Sequence, residues 1–168
     1  MTVVEVIFVL LGLIALGSAV LTAVGDNLVH CALWLVVTLG ALAGCYLLLA
    51  AEFVAWVQVL IYLGAVVVLL LFALMLTRAP TGALEGLTGP NRVVAALTAT
   101  ATAGLLVVSF VAGFGGTRIE IGSDDIGSAG ALGASLFGAW VLPFEILSVL
   151  LLAALIGAIV LSRRQGHD

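Results

Sequence analysis

Between Glu52 and Thr77 the chain reads EFVAWVQVLIYLGAVVVLLLFALMLT, an apolar stretch that holds Gln58, Tyr62 and Gly64 in its first half. These are the residues whose types and spacing suit chemistry inside hydrocarbon. A phenol near the middle of a bilayer both donates and accepts a hydrogen bond, as a step in a proton path must. A neutral amide cannot carry a proton in transit, but it can orient water. On regular helical spacing Gln58 lies one turn before Tyr62, so the two are expected on one face.

Each of these residues also has a plainer reading. Tyr62 could serve a structural hydrogen bond to a neighbouring helix, because intramembrane polar groups often hold helices together. Gly64 costs about 1 kcal/mol against alanine in a helix interior. It suits either a bend or π-bulge, or a close approach of two helices. Glu52 and Glu145 are expected to begin the third and fifth helices, where the helix dipole stabilises a carboxylate. That reading is preferred to a proton relay. Trp34, Trp56 and Trp140 stand near helix starts as interfacial anchors.

The elements that position these residues follow from composition. Hydrophobic residues are 64% of the chain, charged residues 8% and the mean hydropathy is +1.41, more apolar surface than one soluble core can hide. The runs are continuous rather than alternating, which points to helices and not to a barrel. The expected fold is an all-α integral membrane domain spanning 1–168, with five transmembrane helices near 3–23, 28–50, 53–77, 93–113 and 140–161. Each run matches the ~20 residues that cross a bilayer. The first is read as a span rather than a cleaved leader, since it lacks a basic n-region.

Basic residues set the expected orientation. Arg78, Arg92, Arg163 and Arg164 fall on one side, Arg118 alone on the other, and there is no lysine. The positive-inside rule then gives N-out, C-in, with the 114–139 loop outside. Within that loop Thr117–Ile121 is expected to be briefly extended and Gly133–Ala139 to form a short turn. Small residues at helix-packing spacing, Gly40 with Gly44 and Ala153 with Gly157, suit close helix contact.

Cys31 and Cys45 share one helix about 21 Å apart, too far for a disulfide. No set of residues has metal-ligand spacing, and no Lys or Asp lies inside any run. A cation-moving core would be expected to carry several such groups. The chain is therefore not expected to move ions by itself, and nothing points to nucleic acid.

The block VQVLIYLGAVVVLLLFALML resembles subunit J of respiratory complex I, the NADH-quinone oxidoreductase family. WVLPFEILSVLLLAALIGAIVL, from Trp140 to Leu161, resembles that family's closing helix. The resemblance implies a membrane-arm subunit of a proton-pumping NADH:quinone oxidoreductase in the cell (inner or plasma) membrane, without a redox site of its own. It implies FMN, iron–sulfur clusters and quinone in partner subunits. The implied partners are a small three-helix subunit, the quinone-site subunit, antiporter-like subunits and the lipid bilayer. It also implies a π-bulge in the third helix that rewinds in turnover and gates a water path. By position Tyr62, Gly64 and Val66 would belong to that gate. Gln58 stands where some relatives have Glu, and Glu145 matches the family's glutamate in the last helix. Two alternatives are weighed beside this: a passive scaffold of the same complex, and the equivalent subunit of a membrane hydrogenase or cation antiporter.

Overall fold

The computed structural model describes residues 2–76, 92–116 and 127–164, and they are helical nearly throughout. Five helices are long and apolar enough to cross a membrane: α1 (Val3–Val24), α2 (Leu28–Leu48), α3 (Glu52–Leu76), α4 (Arg92–Phe114) and α6 (Val141–Arg164). A shorter helix, α5 (Ala129–Gly138), precedes the last.

Local sequence explains where the helices begin. Thr2 and Glu5 form a capping box, in which the Thr2 N–H donates to the Glu5 carboxylate at 3.0 Å. Asn27 caps α2 by accepting the Val29 N–H at 3.1 Å. Three residues separate α1 from α2, so the two pack as an antiparallel hairpin, and this is the closest pairing in the chain.

That hairpin is held by small residues and one polar pair. Ala15 and Ser18 are buried on α1; Ala32, Thr38, Ala41, Ala43 and Cys45 are buried on α2. The Thr38 hydroxyl donates to Ser18 Oγ at 2.8 Å, and the Ser18 hydroxyl donates back to Ile14 O at 2.7 Å. Neither oxygen faces hydrocarbon unpaired, which is the condition for placing it there. Gly44 lies against Leu11, where a Cβ would come within 2.9 Å of Cδ1. Gly40 has open space around it, and so does Gly157, so of the expected glycine contacts only the one at Gly44 is made.

α3 returns along α2 after the turn at Leu49–Ala51, where Ala50 takes a left-handed φ of 58°. α4 packs against no other described helix, and α4 and α6 expose their apolar side chains along their whole length. In a membrane such surfaces meet lipid or other chains.

One stretch differs from the expectation. In place of a short turn at Gly133–Ala139 there is a ten-residue helix, α5, begun by Ser128, whose hydroxyl accepts the Ala131 N–H at 3.3 Å. It is held to α6 by the edge-on contact of Phe137 with Phe144, centroids 5.1 Å apart. The glycines that suggested a loop are tolerated because the cap and this packing offset their cost. The expected extension at Thr117–Ile121 and most of the Arg78–Arg92 connection lie outside the described residues.

Candidate functional site in the third helix

α3 is three helices end to end: regular from Glu52 to Val57, π-helical from Gln58 to Val66, and regular again from Val67 to Leu76. The change of winding can be read in the backbone. The Gln58 N–H reaches Val54 O, four residues back, whereas the Val67 N–H reaches Tyr62 O, five residues back. Returning from five-residue to four-residue spacing must pass over one carbonyl near the end of the π stretch. That group then needs water or a side chain.

Burial shows the same insertion independently. The residues of α3 turned away from solvent are Phe53, Ala55, Val57, Gln58, Leu63, Val67, Leu71 and Leu74. Regular winding allows steps of three or four along such a stripe. Here one step, from Gln58 to Leu63, is five residues long. The extra residue is what lets Gln58 and Val67 both be buried, Val67 at 2% exposure and Gln58 at 8%.

Gly64 faces outward within this stretch. A Cβ added to it would lie 3.4 Å from the Val59 carbonyl oxygen, five residues back and so one π turn away. A side chain there would sit at the edge of ordinary contact with the backbone. Among the described residues no neighbouring helix crowds it.

Gln58 is the buried residue of the π stretch, which packs on α2, and Tyr62, four residues on, is 48% exposed. Four residues fall a little short of one revolution in a π turn and a little past it in a regular one, so winding alone does not part them. The Gln58 amide makes no hydrogen bond to another described residue. Val66 is exposed beside the buried Val67.

Glu52 and Glu145 do not join this group. Glu52 is the exposed first residue of α3, as the dipole argument requires. Glu145 is the fifth residue of α6 and exposed, one position beyond the first turn where that argument is strongest. Sequence reasoning passed over Ser18 and Thr38, whose signal is two hydroxyls among small residues on adjacent spans. It also passed over Gly127, whose carbonyl accepts the Phe53 N–H at 3.3 Å. No feature of the local sequence signals that contact. Among the described residues no three His, Cys, Asp or Glu side chains are placed to hold a metal ion.

Five apolar spans, most of their surface unpartnered, and a π-helical third span define a membrane subunit built to sit among other chains. Residues 18–161 match the family of NADH-ubiquinone/plastoquinone oxidoreductase chain 6, and the chain belongs to that family. It is 36% identical to the F(420)H(2) dehydrogenase subunit J of Methanosarcina mazei, over 96% of this chain and 92% of that one. It is 32% identical to the NADH-quinone oxidoreductase subunit J of Rhodobacter capsulatus, over 100% of this chain and 86% of that one. It is 39% identical to the NAD(P)H-quinone oxidoreductase chain 6 of Leptolyngbya boryana, over 94% of this chain and 79% of that one. The expected kinship with subunit J is thus established, and the chain is a membrane subunit of the NADH-quinone oxidoreductase family.

Proposed function

We propose that this chain helps gate the water and proton path that couples quinone reduction to proton translocation. The observation that carries this reading is the π stretch Gln58–Val66 with its five-residue step from Gln58 to Leu63. Removing one residue from that step turns everything beyond it by about 100°, the angle per residue of a regular helix. Val66 would then take the place of Val67, and Tyr62 would change the surface it faces. The carbonyl passed over in the π state would regain a backbone partner and release any water bound there. The Gln58 amide makes no hydrogen bond to a described residue and is not sealed from solvent, so it offers a second holding point for that water. Tyr62, at the exposed edge, would hand the path on to an adjoining subunit.

Other parts of the reading are proposals of the same standing. The chain sits in the cell membrane with its N-terminus outside and C-terminus inside, beside the quinone-site subunit, the small three-helix subunit and antiporter-like subunits. FMN and iron–sulfur clusters are held by partner chains, and this chain supplies no redox centre. The named relatives differ in donor, F(420)H(2) for one, NADH and NAD(P)H for others. That suits a subunit whose work is separate from electron input.

The scaffold reading draws support from the exposed α4 and α6, which offer long apolar faces to neighbours. Tyr62→Phe separates the two in membranes holding the assembled complex. A gate loses coupled quinone reductase rate when the hydroxyl is removed, with reduction of a water-soluble artificial acceptor unchanged. A scaffold loses neither activity.

A further inference from the structure

The N-terminal end of α3 lacks a cap of its own. Ala51 stands at the cap position and has no side chain able to accept the first-turn N–H groups, which a helix leaves unpaired. The Phe53 N–H is nevertheless paired. It donates to the carbonyl of Gly127, far along the chain and just ahead of α5, at 3.3 Å.

Gly127 is held closely at that place. A Cβ on it would collide with the Ala50 carbonyl oxygen and stand 2.9 Å from the Ala50 carbonyl carbon and 3.1 Å from Ala51 Cα. Only glycine lets the strand of backbone lie flat on the turn. The turn itself is shaped for the contact, since Ala50 adopts the left-handed φ of 58° that non-glycine residues rarely take. Ser128 then opens α5, which touches the first segment of α3 and rests on α6 through Phe137 and Phe144.

We infer that Gly127 caps α3 from outside and acts as its anchor, a positioning residue that fixes the regular segment Glu52–Val57 relative to α5 and α6. The consequence concerns direction. A helix held at one end can express a change of winding only beyond the change. If the π stretch rewinds, a step that rests on the gating reading above, the rotation falls on Val67–Leu76 and leaves Glu52–Val57 in place. Without the anchor the same rewinding could be spent on turning the short first segment, and the far half would stay still.

The test is residue-resolved hydrogen exchange on the intact complex in membranes. In the unaltered protein the Phe53 amide is expected to exchange at least about fivefold more slowly than the neighbouring Val54 amide, the factor that one modest hydrogen bond supplies. Gly127→Ala is expected to remove that difference, and Ala50→Gly, which relaxes the turn without crowding it, to keep it. Equal rates at Phe53 and Val54 in the unaltered protein would overturn the inference, as would protection that survives Gly127→Ala. Should that variant fail to assemble, the unaltered protein alone decides. Loss of coupled activity is not the readout, so the anchor can stand where the gate fails, and the gate where the anchor fails.

Discussion

α2 meets one neighbour on each side, and the two interfaces are built on opposite principles. Against α1 it presents alanines and Thr38, with regular winding on both helices and a hydroxyl pair in which each oxygen is used. Against α3 it meets a helix whose winding changes twice and whose buried polar residue, Gln58, has no partner among the described residues. The first interface has one good arrangement. The second has a stripe one residue too long for regular winding, and on the gating reading proposed above a second arrangement lies one residue step away, the bistable packing a conformational switch requires. On that reading polarity at membrane depth serves fixation where it is paired, and motion where it is left open to water.

The widest break in this contrast comes from Gly64→Leu. The leucine restores the about 1 kcal/mol of helix propensity that glycine gives up and adds bulk to the exposed side of the π stretch. Coupled quinone reduction should fall by at least about fivefold, with reduction of an artificial acceptor unchanged, in paired assays on the same membranes. Normal rates in both assays would remove the gate from the account.

Gln58→Leu should act next most strongly. Replacing the amide by a hydrocarbon of similar size removes a water-holding group without leaving a cavity. Coupled rate is expected to drop several-fold while resistance of the chain to unfolding in detergent holds, because no hydrogen bond to a described residue is lost. A fall in stability together with rate would mark Gln58 as a packing residue.

Thr38→Val probes the fixed interface. Losing the bond to Ser18 should cost about 0.6 kcal/mol of helix association, with about 1.7 kcal/mol as the upper end, read from unfolding in detergent. Coupled activity should not change. Were it to drop as far as in Gly64→Leu, the division between a fixed and a moving side of α2 would be wrong. Ala50→Gly should leave coupled activity unchanged and add about 1 kcal/mol of stability in the same unfolding measurement, from relief of the left-handed φ.

Reading the sequence reaches some of these features and misses others for definite reasons. The five spans are legible because apolar length alone decides whether a helix crosses a bilayer. The candidate site in α3 is legible as a position, since Gln58, Tyr62 and Gly64 break an otherwise uniform run. Its winding is not. Gly64 allowed a π-bulge without requiring one, and the resemblance to a known family pointed to the distortion. Gly127 was beyond reach altogether, because a backbone carbonyl that caps a remote helix leaves no mark in side-chain type. Ser128 did carry a mark, as a serine at the start of α5, but the glycines after it outweighed the cap in a reading by composition.

The most direct test of the central claim is the backbone of α3 in the assembled complex, imaged by electron cryo-microscopy at rest and during steady turnover. The account predicts two windings between Gln58 and Val67: one with Val67 bonded to Tyr62 and facing α2, and one with regular spacing and Val66 in its place. A single winding, identical in resting and turning-over particles, would contradict it.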